Sequence, residues 1–506
     1  MNKSEFRSKD VGKFNLLYRW NDERDRAEIV LTSREAKLRA VHSSVNILDD
    51  LGGIAETSAI TPEIARFIFD VFERRGDTES FNISRRELAM GAAGTAPRPH
   101  ADATLVRHAD TNQEQSFTAT GGKLAHHWPI FRKLAETGYG SLIRATLTNH
   151  QLCSSRCPYC STISRNRADS VTLDEVKAFV TTLYDEQAAY NREHFSQYND
   201  LYRRATGSDI RLRGLILSGG GQPNLWPHFT ELVRWLAERD IDLGLITNGF
   251  PQGVPEDVYE NFRWIRVSIT PEDASPHYVD GRFDRQYFPA TVLNNPRVTV
   301  GLSYVYGPWT DDDILRRIAA RAESGGFEYV RLLTDCNLPR DSQLRAHGHL
   351  AERLHRMGYI DEAGNPLSRI FHQLKFHGER DHAAKLWDAG QCFLQSYNVF
   401  WDTTGHSENG HSYCYPCDSI TVLADQDEDG AVRQSERRFN SDKWGTVPNT
   451  EVSRLFKEPM RPFFDPRQIC GSCLFMRNNA TVKGMLATKD WGAVQVPSGL
   501  KHRNFP

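Results

Sequence analysis

Between residues 139 and 345 the chain alternates short apolar, β-branched runs with amphipathic stretches of helical period, the sequence form of parallel βα units. The candidate strands are Leu142 to Leu147, Leu212 to Leu217, Leu243 to Thr247, Trp264 to Ile269, Val298 to Tyr306 and Tyr329 to Leu333. Thr172-Leu-Asp-Glu175 is a capping box that opens a helix through Leu183, and Thr310-Asp-Asp-Asp starts one that ends near Gly325-Gly326. Six strands with helical crossovers predict an α/β fold built on a parallel barrel, complete or partial, of the (β/α)6 kind. The polar, Tyr-rich residues 185–210 lengthen the first crossover beyond need and read as an insertion at the barrel rim.

The flanks differ. Residues 1–138 are weakly patterned, with one good helix candidate at Thr61 to Arg75, and are expected to form a separate, mostly helical unit; Gly91 to Gly122 within them reads as a linker or loose loop. After the barrel, residues 346–390 read as a helical connector. Residues 391–480 are rich in cysteine, turns and short extended pieces, and 481–506 read as a surface tail.

A length of 506 residues predicts two to four structural units. With 39% hydrophobic and 25% charged residues the composition is that of a globular protein and excludes disorder as the main state. A net charge of -3 gives no global basic field for a polyanion, so nucleic acid is not an expected partner. No signal peptide and no apolar run of membrane-spanning length are evident, so no membrane association is expected and a cytoplasmic location is, where thiols stay reduced. Nine cysteines then need another reason, and eight of them lie in three tight groups. Such clustering points to metal ligation.

Cys153, Cys157 and Cys160 stand in NHQLCSSRCPYCSTIS, directly after the first candidate strand. Three thiolates spaced CxxxCxxC can wrap a loop around one corner of an iron-sulfur cluster and leave one iron open, which makes a reaction site. In a parallel barrel the loops that follow strands form the catalytic face. Two other readings stay open. Cys157-Pro-Tyr-Cys160 alone is a glutaredoxin-type dithiol, against which Cys153 stands, and a zinc site is possible but wants a fourth ligand.

CxxxCxxC with Tyr159 before its last cysteine, after the first strand of a βα barrel, resembles the radical S-adenosylmethionine superfamily. Further motifs follow in order: Ser218-Gly219-Gly220-Gly221-Gln222-Pro223 after the second strand is similar to the family's glycine-rich motif, the third strand ends ITNG, and the fourth reads WIRVSIT. Together they cover roughly residues 140 to 336. The resemblance implies a catalytic [4Fe-4S] cluster on Cys153, Cys157 and Cys160 that binds S-adenosylmethionine and cleaves it reductively. The 5′-deoxyadenosyl radical so formed would abstract a substrate hydrogen. It further implies that the backbone at Gly220, Gly221 and Gln222 takes the methionine amino group, that the Tyr159 backbone lies against adenine, and that Ser268 and Asn248 are cofactor-binding candidates. An electron donor such as a flavodoxin or ferredoxin would be a partner. One departure is plain: Gln222 stands where the family has an acidic residue.

Cys392, then Cys414 and Cys417 in HSYCYPCDS, then Cys470-Gly-Ser-Cys473 form the second set. Four such thiolates can close a complete [4Fe-4S] site. The pattern resembles the auxiliary-cluster extensions called Twitch and SPASM, which implies one auxiliary [4Fe-4S] cluster on Cys392, Cys417, Cys470 and Cys473, with Cys414 the alternative to Cys417. A zinc ribbon of Cys414, Cys417, Cys470 and Cys473 is the competing reading and leaves Cys392 over. Cys336 stands alone after the sixth strand, where a thiol could return a hydrogen atom to a substrate radical. The expectation is an oxidoreductase that oxidises or crosslinks a peptide or natural product. A small-molecule dehydrogenase or epimerase is the alternative, and a zinc-stabilised binding protein the rival outside enzymology.

Overall fold

The computed structural model describes residues 7–11, 14–21, 26–33 and 78–84 as backbone, and then 116–249, 253–269, 289–335, 340–373, 392–417, 447–460 and 475–506 apart from isolated positions. The chain divides into two compact units, a smaller one of Met1–Thr104, Cys336–Glu352 and Asp427–Ala431 and a larger one holding the remainder.

In the smaller unit the described N-terminal residues are strands: β1 (Arg7–Val11), β2 (Phe14–Asn21), β3 (Arg26–Ser33) and β4 (Thr78–Ser84) form an antiparallel sheet in that order. Within 1–138, expected to be mostly helical, these described residues are strand, while Gly121–Leu124 and Trp128–Thr137 are helical. The signal was the period-two alternation Phe14, Leu16, Tyr18, Trp20, which belongs to a strand and not to a helix. The helix candidate at Thr61 to Arg75 lies outside the described residues.

The larger unit carries a sheet of ten strands. They are β5 (Arg144–Thr148), β6 (Gly214–Ser218), β7 (Asp242–Thr247), β8 (Phe262–Ile269), β9 (Thr299–Tyr306), β10 (Tyr329–Thr334), β11 (Ile370–Gln373), β12 (Asn398–Asp402), β13 (Tyr413–Tyr415) and β14 (Val447–Pro448). Their order is β11-β10-β9-β8-β7-β6-β5-β12-β13-β14. The strands β5 to β12 pair in parallel, and β13 and β14 add an antiparallel edge. The six expected strands are all present. Ile370–Gln373, expected inside a helical connector, and Asn398–Asp402, expected in the cysteine-rich region, are parallel strands of the same sheet.

From β5 to β11 each strand is neighbour to the next in sequence. With crossovers of the usual right hand, such an order puts every connecting helix on one face. The strand composition agrees. Leu215, Leu217, Leu243, Leu245, Ile265, Val267, Val300 and Leu302 alternate onto one face and are all buried. The helix Phe229–Ala237 contributes Phe229, Leu232, Val233 and Leu236 at helical spacing to the same core. The other set of positions, Arg144, Thr146, Ile216, Ser218, Ile246, Trp264, Arg266, Tyr329, Arg331 and Phe400, lines a cavity on the opposite face.

The crossovers begin as expected. Thr172 accepts from the Glu175 N–H at 3.3 Å and Glu175 Oε2 accepts from the Thr172 N–H at 2.8 Å, closing the capping box of the helix Leu173–Thr181. In residues 185–210, expected as an insertion, a π-turn leads into two helices, Gln187–His194 and Ser196–Thr206, with Tyr198 and Tyr202 buried. The expected surface tail is also corrected. Met476–Ala487 is a helix with Val482 fully buried, and Phe505 is packed edge-on against Trp264 at 5.5 Å.

Candidate active site

The loop that follows β5 holds the first three cysteines, and four strand ends contribute contacts to it. From β6, the Gln222 N–H donates to the Leu152 carbonyl at 2.7 Å, while the Gln222 carbonyl bonds His150 Nε2 at 2.6 Å. From β7, Asn248 Nδ2 donates to the hydroxyls of Ser154 at 2.8 Å and Ser155 at 3.2 Å, between Cys153 and Cys157. From β12, Gln151 Nε2 donates to Asp402 Oδ1 at 3.1 Å. Beyond β9, the Trp309 ring stacks on Tyr159 at 5.6 Å. Hydrogen bonds from buried amides to a loop backbone and its hydroxyls fix the path of the loop with little help from apolar packing.

Glycine is required where this loop meets the segment after β6. A Cβ on Gly221 would strike the Leu152 carbonyl and the Gln151 backbone, and one on Gly220 would overlap the Gln151 amide, itself pinned to Asp402. Gly220 and Gly221 therefore serve the close approach of two of the chain's own loops, a use of glycine that the motif alone did not reveal. Gln222 is buried and its amide is fully employed: Oε1 accepts from the Asn248 N–H at 2.8 Å, and Nε2 donates to Asn224 Oδ1 and Thr247 Oγ1. The amide thus ties the end of β6 to the end of β7. Ser268 lies near the end of β8, exposed and in register with Ser303.

The three thiols share one loop, yet among the described residues no three His, Cys, Asp or Glu side chains gather as a metal-binding group. Two of the sulfurs turn onto their own loop: Cys153 Sγ accepts from the Ser155 N–H at 3.4 Å, and Cys160 Sγ lies 3.4 Å from Thr162 Oγ1. Both are weak contacts that ligation would replace. The donor set, three half-exposed thiols on a loop held from four strand ends, suits a soft metal centre in its chemistry.

In the second set, Cys392 and Cys417 belong to one buried cluster with Phe393, Tyr397, Phe400, Tyr415 and Met485, against which Phe475 also packs. Burial pushes the Cys392 thiol up to about 11. Cys414 sits on β13 in register with Trp401 and Val447, and burial raises its thiol as well. Alternation along β13 turns Cys414 away from the face that Tyr415 shares with the cluster. Cys336, Cys470 and Cys473 lie outside the described residues.

His150, Gln151, Thr247 and Asp402 were not singled out from the sequence. Single buried polar residues at strand ends leave no spacing pattern, and only the parallel register brings them to one loop. The three arginines of the inner face did leave a signal, a lone charge within an apolar run in Ile143-Arg144-Ala145, Ile265-Arg266-Val267 and Val330-Arg331-Leu332.

The fold and site define a protein with a singly wound parallel α/β sheet and a cysteine loop at the carboxyl ends of its strands. No protein-family model and no curated protein matches the chain. Among solved structures it is similar to Streptococcus suis SuiB bound to S-adenosylmethionine, at 9% identity and a TM-score of 0.39 over 88% of this chain and 87% of that one. It is also similar to TYW1 with a lysine-pyruvate adduct bound, at 14% identity and a TM-score of 0.27 over 45% and 80% of the two chains. Methylornithine synthase (PylB) follows at 14% identity and a TM-score of 0.26 over 54% and 84%. Among the described residues no helix is long and apolar enough to cross a membrane.

Proposed function

We propose that the protein is a radical S-adenosylmethionine enzyme. The observation that carries this reading is the CxxxCxxC loop placed directly after β5 and bound to the glycine segment after β6 and to Asn248 after β7. Cys153, Cys157 and Cys160 would hold a [4Fe-4S] cluster. When bound, that cluster supplies the electron that cleaves S-adenosylmethionine to the radical that takes a substrate hydrogen.

The chain's own residues set the stage. Asn248 holds Ser154 and Ser155, two of the residues between Cys153 and Cys157, and so fixes the loop between these thiols. Gln222 binds the loop through its N–H and spends its side chain within the protein, so any role toward the methionine amine falls to backbone carbonyls of the glycine segment. An acidic residue is then not required at that position. Tyr159 is steadied by Trp309.

Cys392 and Cys417, with Cys470 and Cys473, would hold an auxiliary cluster. The shared buried cluster of Cys392 and Cys417 favours Cys417 over Cys414. A second thiol set favours a net oxidation, with a peptide or small natural product as substrate.

The deciding experiment is anaerobic reconstitution with iron and sulfide, iron counting, and assay of 5′-deoxyadenosine after reduction. About eight irons per chain are expected, falling to about four with cleavage lost when Cys153, Cys157 and Cys160 are replaced by Ala. Bound zinc without 5′-deoxyadenosine would overturn the reading.

A further inference from the structure

The inner face of the sheet departs from what parallel strands normally show. Such strands are buried on both faces and read as continuous apolar runs. Here one face is apolar, while the other encloses a cavity of ≈ 220 Å³ lined by Lys123, Arg144, Arg266 and Arg331. None of its described lining residues is Asp or Glu.

The hollow is made by glycine. Gly244 and Gly301 leave room on their strands for the rings of Trp264 and Tyr329 on the neighbouring ones, and Gly214 leaves room for the chain at Asn504 and Phe505. Residues 116–119, expected within a linker, form one wall, with Phe117 stacked on Tyr329 at 4.3 Å. The wall meets the cations with carbonyls: Lys123 Nζ donates to Ser116 O at 2.9 Å and Arg266 Nη2 to Phe117 O at 2.7 Å. Arg266 Nε donates to the Tyr329 hydroxyl at 3.3 Å, and Arg144 Nη1 donates to a carboxylate oxygen of Pro506, the last of the 506 residues, one negative charge against four cations. A carbonyl meets Lys123, and a carbonyl and a hydroxyl meet Arg266, none of them bringing a negative charge.

We infer that this cavity receives an anionic group, a carboxylate or a phosphate, of the molecule on which the protein acts. Lys123 is almost fully buried beside two arginines, and burial of a cation is costly unless an anion accompanies it. Burial first, then Arg144 and Arg266, hold the Lys123 amine well below its usual range, and burial together with Lys123, Lys501, Arg263 and Arg266 holds His502 at about 3. Both shifts come first from burial, to which the neighbouring cations add. The aromatic rings of Phe117, Trp264, Tyr329 and Phe400 around the charges suit a ligand with a flat or apolar body next to its anionic end. Arg266 lies three residues before the end of β8, roughly 10 Å at the rise of a strand. Arg266 thus lies below the carboxyl ends of the strands, the end of the sheet at which the cysteine loop follows β5. The inference rests on the proposed radical chemistry only for what is done to the bound molecule; anion binding stands on the cavity itself.

The test is calorimetric titration of the full chain, before any iron is added, with benzoate and with inorganic phosphate. Saturable binding of at least one is expected, weakened tenfold or more in Lys123→Met and in Arg266→Gln, largely restored in Arg266→Lys, and unchanged in the surface control Lys177→Gln. Benzoate alone would assign a carboxylate ligand, phosphate alone a phosphoryl one. In the wild type, bound anion should alter the part of the tryptophan fluorescence that Trp264→Phe removes, a reading independent of whether the charge variants fold. No saturable binding of either anion by the wild type, binding without a Trp264 response, or undiminished binding in both Lys123→Met and Arg266→Gln would overturn the inference. Because binding is read without iron, its loss beside intact S-adenosylmethionine cleavage removes the anion site alone, and the reverse result removes only the radical reading.

Discussion

Gln222 shows how a single side chain can be read two ways. From the sequence it is a substitution for an acidic residue; in the fold it is a two-sided hydrogen-bonding group between β6 and β7. A carboxylate accepts but does not donate, so Gln222→Glu sets an oxygen against Asn224 Oδ1 and should cost about 1–3 kcal/mol of stability in denaturant titration, with iron binding impaired by the looser loop. Gly221→Ala forces a methyl group against backbone that cannot rotate away. Overpacking of this kind costs about 1–3 kcal/mol and should displace the Cys153 end of the loop, read as reduced iron retention after reconstitution. Gly220→Ala should instead displace the Gln151 amide and break its bond to Asp402, loosening the loop from β12. These roles were hidden in the sequence because glycines in a row identify a tight passage without saying what passes beside it.

At the scale of elements, local signals served well where they were strong. The capping box at Thr172 is complete, and Asp311 caps the helix Asp312–Ser324 through the Ile314 N–H at 2.8 Å. Thr172→Ala should lower stability by about 1 kcal/mol without changing iron content, measured by thermal unfolding and iron assay on the same preparation. The strands β11 and β12 were missed for opposite reasons. Ile370–Gln373 is too short to show a period, and Asn398–Asp402 stands among cysteines and aromatics that suggested a separate domain. Since β12 lies beside β5 and pairs with β13, Cys414 is on the sheet that bears the first cysteine set, while Cys417 shares a buried cluster with Cys392. On this arrangement Cys417→Ala should remove about four irons from the reconstituted protein, and Cys414→Ala should leave the iron count intact.

For the whole molecule, the chain after residue 500 matters more than its position suggests. Phe505 is buried against Trp264, and Asn504 Nδ2 donates to Asp242 Oδ2 at 2.7 Å. Phe505→Ala should destabilise the larger unit by about 3 kcal/mol in denaturant titration, a cost typical of truncating a buried ring. It should also weaken benzoate binding, because the emptied ring position borders the anion cavity.

The amino-acid sequence by itself determined the six central strands, the starts of their helices and the thiol chemistry of the loop after the first. Each of these depends on near neighbours in the chain: alternation, caps and ligand spacing. It also bore the three lone arginines, without showing that they face one space. The tertiary structure decided what depends on distant residues meeting. It turned the expected tail and linker into walls of the inner cavity, brought His150, Gln222, Asn248 and Asp402 around one loop, and put Cys392 and Cys417 in one buried cluster. Parallel strands acquire a shared face only through their register, and register is a property of pairs of segments, which no single segment carries.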